Sequence, residues 1–463
     1  MVFANRLSTL NIVNAAFWAL ALAVVLLPVG LGGNRPLPLG LAQAALALSA
    51  TGLLLNQEYW QGLKWPPRVL WALGLFAGVF AWAWLQTQPF LPAAWSHPLW
   101  MEAGVSLKKD LHGAVALAPE DALYGLSRLI TYVVAGFLAY AFGQDAKKAK
   151  RLLEIIWISG VAICLYGLAM HALGVQKILW IDKWAYQTDL TATFVSRNHF
   201  AVYAGVIFVT GLALMMQSWR EAMRDQKPTM RASIAQNWIQ KEGLPRGFLL
   251  LLVFLCVILS HSRAGFLITV AGVCGYVFFF QIYTKNYRRA LLVGLLAVVI
   301  AVAIIAVATQ YSDRFAKFLN DYSSFDRIKV YKIILNAVKD NPLLGYGLNG
   351  FQAVFRMYQY NMVMEFNRAH SDVLAALLDL GVPMGLALWA AVGLLISGLW
   401  HGIRTRRRHG IFPTLGFTVS LMVLSHASID FSLQIPGVAV LWAALVGTGL
   451  AQSWSSSEKR PLT

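Results

Sequence analysis

Charge is what this sequence has least of. Asp, Glu, Lys and Arg together make up 13% of its 463 residues, where a soluble globular protein carries about 25%. A chain this poor in charge cannot cover its own surface with polar groups, so a soluble α/β enzyme is excluded as a reading of the whole chain. Hydrophobic residues reach 58% and the mean hydropathy is +0.59, which excludes disorder. Cysteine is scarce as well. The three, Cys164, Cys256 and Cys274, lie within apolar runs, and none sits beside another Cys or a His at metal-ligand spacing. They read as small core residues and exclude a disulfide scaffold. No Walker A sequence is present, so ATP-driven transport lacks its motor. No Asp-x-Asp pair and no His/Cys cluster suggests a metal, so the expected chemistry uses no metal and no cofactor. A cleavable signal peptide is missing too, because the first apolar run, from about Leu10, is too long for one and reads as a signal anchor. No internal repeat and no low-complexity tract stands out.

What the sequence has instead is long apolar runs, several of which reach the roughly 18 residues of a transmembrane helix. Twelve are expected: Leu10 to Gly32, Leu37 to Leu55, Val69 to Leu85, Arg128 to Phe142, Leu152 to Val175, His199 to Gln217, Phe248 to Leu259, Ala264 to Tyr283, Ala290 to Thr309, Val373 to Leu399, Ile411 to Ser425 and Pro436 to Ala451. The fold class expected is all-α, a polytopic integral membrane protein. Residues 1–463 form one transmembrane domain, with residues 310–371 inserted as a long loop between the ninth and tenth spans. Arg128 stands at a span edge, where a long cationic side chain is expected to snorkel to the interface.

Orientation follows from Lys and Arg in the connections. With both termini in the cytoplasm, the inside segments hold 22 of the 38 Lys and Arg, and the short outside connections hold 7. The net charge of +17 is therefore largely the positive-inside bias. No basic domain with interleaved stacking aromatics is present, so nucleic acid is not an expected partner.

The long loop contains one amphipathic stretch. Phe325, Ile328, Tyr331, Ile334, Leu335 and Val338 recur at helical spacing, which fits a helix on the membrane surface or capping the bundle. It stops at Asn341-Pro342. Beyond it, Gly345-Tyr-Gly-Leu-Asn-Gly350 spells G-x-G-x-x-G, but no strand precedes it and no βαβ unit surrounds it. A tight turn is expected there, not a nucleotide site.

Four positions on the outer side concentrate polar chemistry: Ser196-Arg197-Asn198-His199, Ser260-His261-Ser262-Arg263, Arg368-Ala369-His370-Ser371-Asp372, and His426 to Asp430. Each has a plain structural reading, as snorkelling anchors, hydrogen-bonding histidines and N-caps. The positive-inside bias nevertheless disfavours arginine on this side, and charges at such positions point to function. Two arginines with one histidine suit anion chemistry. Arg binds phosphate through a planar fork, and His is the side chain that serves as a base near neutral pH. Arg368, two residues from His370, is expected to favour the neutral imidazole.

At these residues the chain resembles the O-antigen ligase and polymerase superfamily of bacterial membrane glycosyltransferases. The matching stretches are Thr193-Phe-Val-Ser-Arg-Asn-His-Phe-Ala201, Ser260-His-Ser-Arg-Ala-Gly265 and Asn341-Pro-Leu-Leu-Gly-Tyr-Gly-Leu-Asn-Gly-Phe351. To these are added His370-Ser-Asp with Leu374, Gly381 and Gly385, and His426-Ala-Ser-Ile-Asp-Phe-Ser-Leu-Gln-Ile-Pro436. Asp379 stands where the family often has Glu. The resemblance implies a metal-independent, inverting transfer of glycan from an undecaprenyl-diphosphate donor to an acceptor hydroxyl. It implies a multi-pass protein of the bacterial inner membrane with its active site facing the periplasm. The first reading is O-antigen ligase, with lipid A-core as acceptor. Its alternative is a polymerase with a carrier-linked glycan as acceptor, and a transporter or flippase is a more distant one. His370 corresponds to the family's base, and Arg197 and Arg263 to its diphosphate-binding arginines. Asn198, His199, His261, Arg368, Asp372, His426 and Asp430 are accessory candidates whose roles the pattern does not fix.

The charge bias is directly testable. A reporter active only in the periplasm should be active when fused after Asp321 and silent after Arg408. The opposite result would invert the topology.

Overall fold

A bilayer offers no water to unpaired backbone groups, so a spanning segment must satisfy its own hydrogen bonds. Helices accordingly dominate the computed structural model, which describes residues 2–224, 226–297, 322–359 and 366–454. In chain order they are α1 (Val2–Val29), α2 (Pro36–Leu54), α3 (Gln57–Gln61), α4 (Pro67–Leu85), α5 (Leu99–Leu107), α6 (Pro119–Gly143), α7 (Ala146–Ala172) and α8 (Arg197–Met223). There follow α9 (Arg231–Trp238), α10 (Leu244–Leu259), α11 (Arg263–Tyr283), α12 (Tyr322–Asp340), α13 (Phe351–Tyr358), α14 (Asp372–Thr405), α15 (Ile411–Ala427) and α16 (Pro436–Ala451). A two-residue hairpin, Lys177–Ile178 against Ile181–Asp182, lies between α7 and α8.

Among the described residues nine helical segments are long and apolar enough to cross a membrane, and α15 and α16 are shorter apolar helices. The chain is an all-α polytopic membrane protein. The expected span from Ala290 to Thr309 begins in helical residues 287–297 and lies outside the described residues from 298 onward.

Proline opens α2, α4, α6 and α16 within the first turn, where its missing N–H removes no helical hydrogen bond. Helix α6 starts at Pro119 and carries Glu120 and Asp121 in its first turn, so Arg128 falls about two turns inside the helix. Its side chain does not snorkel: Arg128 is 5% exposed. Acidic residues at a helix start complement the macrodipole, which explains why the helix continues outward past its apolar stretch.

The centre of the bundle is α16, buried along almost its whole length. It meets α6 where a Cβ on Gly447 would stand 2.1 Å from the Gly136 carbonyl oxygen. Small residues permit this approach, as is usual between membrane helices.

The cap is formed by α12 and α13. Val330, Ile334 and Ala337 pack against Phe351, Val354 and Phe355, and with them against Ala375 and Leu378 of α14. The capping role agrees with the sequence reading, but the buried face differs. Ile328 and Leu335 remain 53% and 45% exposed, because the apolar stripe is wider than α13 can cover. The side chain of Phe325 lies outside the described residues.

The glycine-rich segment is a tight turn that interlocks with a break in α14. Gly381 has φ 76 and ψ 164 inside that helix, a region open in practice only to glycine. A Cβ on Gly381 would stand 2.4 Å from the Leu343 carbonyl oxygen, and one on Gly345 would stand 2.3 Å from the Gly381 nitrogen. Asp379 stitches the two together. Its side chain accepts from the Asn349 N–H at 2.8 Å, and its carbonyl accepts from Gly347 N–H at 2.9 Å. We expect Gly381→Ala to destabilise the protein by about 1–3 kcal/mol. A melting curve of the detergent-solubilised protein by size-exclusion fluorescence checks this, and an unchanged midpoint would mean that the turn yields freely.

Candidate active site

Three helices begin at one end of the bundle, and each is capped by serine. Ser196 accepts from the Asn198 N–H at the start of α8, Ser262 from Gly265 at the start of α11, and Ser371 from Leu374 at the start of α14. Unpaired N–H groups and the macrodipole make such ends positive. Arg197 and Arg263 are the first helical residues of α8 and α11. Adding cations where the dipole is already positive opposes folding, and the same arrangement favours a bound anion.

These ends are tied together by side chains. The Ser262 hydroxyl donates to Asn198 Oδ1 at 2.8 Å, and Asn198 Nδ2 donates to Asp430 Oδ2 at 3.0 Å. Asp430 follows α15, and its other oxygen lies 3.2 Å from His370 Nδ1. His199 Nε2 is 3.8 Å from that same oxygen, at ion-pair distance. Burial pushes the Asp430 carboxyl up, but His199 and His370 beside it reverse this and hold it well below the usual carboxylate range. An ionised carboxylate here fixes the His370 ring through Nδ1, leaving Nε2 as the nitrogen available to take a proton.

A second cluster centres on Asp189, a residue not singled out from the sequence. Asp189 is 6% exposed. One carboxylate oxygen accepts from Arg197 Nη1 at 2.9 Å, and the other lies 2.8 Å from His261 Nδ1. The Arg197 guanidinium also sits 5.4 Å from the centre of the Tyr186 ring. Asp189 thus orients one arginine and one histidine together. A lone Asp in a loop has no periodicity to betray it.

His261 and His370 share a backbone device. Both adopt positive φ, 53° and 50°, uncommon for a residue with a Cβ. Both immediately precede the capping serine of a helix, in His-Ser-Arg and His-Ser-Asp sequences. Both engage a buried carboxylate through Nδ1. His370 is further held from above, where the Tyr331 hydroxyl of α12 donates to its carbonyl at 2.7 Å. The rings of Phe366 and Phe431 stand edge-on to the His370 ring at 5.9 and 5.1 Å.

The remaining candidates separate. Arg368 donates to Asn349 Oδ1, and the charged group that contacts the His370 ring is Asp430, so the expected role of Arg368 beside His370 is replaced. Asp372 accepts from Leu433 N–H at 2.8 Å and from Gln434 Nε2 at 3.0 Å, which fastens α14 to the segment before α16. His426 is fully buried and bonded to Ser432, a packing role below the site. Arg263 is exposed at the helix start.

Residues 248–390 match the family model for O-antigen ligase. The match covers about a third of the chain and supports a place in the O-antigen ligase and polymerase superfamily. Comparison with curated proteins finds no match. The O-antigen ligase domain supports a ligase- or polymerase-type function, that is, a glycosyltransferase-like membrane enzyme acting on glycan and lipid-linked substrates. The matched stretch contributes His261, Arg263, His370 and Asp379. Asp189, Arg197, Asn198 and Asp430 lie outside it, yet the structure joins them to it.

Asp189→Asn keeps the shape of the bridge and removes its charge. Hydrogen bonds to charged groups contribute about 1.5–3 kcal/mol each. We expect this variant to insert normally and to lose glycan transfer by about tenfold or more, mainly as a raised KM for the lipid-linked substrate. Unchanged kinetics would leave the bridge with a structural role only.

Proposed function

We propose that the protein transfers a glycan from an undecaprenyl-diphosphate carrier to an acceptor hydroxyl at the periplasmic face of the bacterial inner membrane. The observation that supports this reading is the hydrogen bonding of Asn198, Ser262, His370 and Asp430 to one another at three helix starts, two of which carry Arg197 and Arg263 as their first residues. The acceptor oxygen attacks the anomeric carbon from the face opposite the diphosphate, with inversion. Its proton passes to His370 Nε2. The bond from the anomeric carbon to the diphosphate oxygen breaks, and the departing diphosphate keeps the electron pair. Arg197, Arg263 and the helix ends stabilise that growing charge, commonly the largest catalytic contribution. The donor's own glycosyl-diphosphate bond supplies the driving force, so neither ATP nor a divalent ion is required. The α12 cap over His370 keeps water from competing for the donor.

Of the ligase and polymerase readings we take O-antigen ligase, the description that the matched model carries, and propose lipid A-core as its acceptor. The test is transfer by the purified, reconstituted protein from undecaprenyl-diphosphate-linked glycan to lipid A-core, in EDTA. Wild type should make product. His370→Ala should lose about 10²–10⁴-fold, the usual contribution of a general base, while still binding donor. Arg197→Lys and Arg263→Lys keep charge without the fork and should lose most activity. Product formed only on a carrier-linked repeat would make the protein a polymerase. Full activity in the His370 variant, or activity that appears only with Mg²⁺, would overturn the mechanism.

A further inference from the structure

A cavity of about 230 Å³ lies between α4, α6, α14 and α16. None of these helices carries Arg197, Arg263 or Asp430, and the donor mechanism makes no use of it. Its lining on α6 runs from Gly125 to Tyr140, about 22 Å at the helical rise of 1.5 Å per residue. That is most of the roughly 30 Å hydrocarbon core. The cavity is chemically two-ended. Phe76, Val392, Trp442 and Leu450 belong to a long apolar wall. Arg128, Asn349, Asp372, Asp379 and Gln434 also line it. Asn349, Asp372 and Asp379 belong to the turn and the start of α14, at the end where the helices bearing the active site begin.

Two atoms at this polar end are unused. Arg128 donates from Nε to the Tyr132 hydroxyl at 3.2 Å, but its Nη2 is buried without a hydrogen-bond partner. Asp379 spends Oδ2 on the Asn349 N–H, while its Oδ1 is buried without one. Leaving a buried charge unsatisfied costs several kcal/mol. A guanidinium nitrogen lacking an acceptor and a carboxyl oxygen lacking a donor together describe the missing group. It carries an anion, and beside the anion an N–H or O–H. Arg368, which burial pushes down and the neighbouring Arg128 charge pushes further down, adds positive field at the same end.

We propose that this cavity is a binding site for a membrane phospholipid whose chain lies along the apolar wall, whose phosphate meets Arg128 Nη2 and whose headgroup donor meets Asp379 Oδ1. The site is separate from the donor-diphosphate site and does not depend on the glycan transfer proposed above. Phosphatidylethanolamine offers an ammonium donor and phosphatidylglycerol a hydroxyl donor. Phosphatidylcholine has the phosphate and the chains but no donor, and serves as the control.

Native mass spectrometry of the full-length protein, titrated in detergent with each of the three lipids, tests this. Wild type should retain phosphatidylethanolamine or phosphatidylglycerol about tenfold more tightly than phosphatidylcholine, the worth of one charge-assisted hydrogen bond. Which of the two binds better identifies the donor as ammonium or hydroxyl. Arg128→Gln should lose that binding. Ala72 lines the cavity and is fully buried, so Ala72→Phe should displace the chain with Arg128 intact, and it decides the matter should Arg128→Gln not insert. An Arg197→Gln, Arg263→Gln double variant should keep the lipid, so failure of the donor reading would not be mistaken for failure of this one. Equal retention of all three lipids by wild type, or full retention by Ala72→Phe, would overturn the proposal.

Discussion

The Asp430 carboxylate is the constraint on which the site depends. It is 3% exposed, and a buried charge persists only where hydrogen bonds and opposite charge replace water. Those replacements come from different parts of the chain: Asn198 on α8, His370 ahead of α14, and the N–H of Phe431 at 2.9 Å. Asn198 in turn holds Ser262 of α11. Satisfying one carboxylate therefore fixes the relative positions of three helix starts. The apolar contacts between spans permit many small adjustments of the bundle. The polar network selects one of them, because the Asp430 carboxylate keeps its hydrogen bonds in only one arrangement of its partners.

Charge in this chain is rare and unevenly used. On most of the spans it is absent, as the bilayer requires. Where it does occur within the bundle it gathers at one end, on Asp189, Arg197, Asp372, Asp379 and Asp430, with Arg128 deeper along α6. Arg197 and Arg263 sit where helix dipoles are already positive, a placement that adds nothing to folding. Asp189 offsets the first by an ion pair at 2.9 Å. It does so through one guanidinium nitrogen, Nη1, an arrangement compatible with the diphosphate contact proposed for the rest of the fork.

Much of this was legible in the sequence, and the reasons differ by element. The spans were readable because a bilayer imposes length and apolarity directly. Helix α6 was readable in its apolar part only. Its first turns carry Glu120 and Asp121, so a scan for uncharged residues begins too late and places Arg128 at an edge when it is inside. The four polar positions were visible because, in the orientation that the charge bias predicts, arginine is unexpected there. Their joining was not visible, since nothing in the spacing of Asn198, Ser262, His370 and Asp430 encodes contact. Asp189 was missed for the same reason. The glycine-rich turn was readable as a turn, but its partner was not, because the break at Gly381 lies within a run that looks continuously helical.

The two His-Ser pairs show how one local device can serve two purposes. In each, a left-handed histidine followed by a capping serine sets an imidazole over a helix start with its Nδ1 on a buried carboxylate. Backbone in that region costs about 1–3 kcal/mol, and the surrounding hydrogen bonds offset it in both places. The pairs differ in what surrounds them. His261 has a side chain 57% exposed and an arginine two residues on. His370 is 23% exposed, flanked by Phe366 and Phe431 and roofed by Tyr331. Electrostatic effects are stronger where water is excluded, so the His370–Asp430 pair is the better placed to hold a proton taken from a hydroxyl. The His261–Asp189 pair, wetter and coupled to Arg197, is the better placed to steer an anion toward it. The division of labour proposed for the two pairs thus rests on burial, and burial follows from where α12 and α13 close over the bundle.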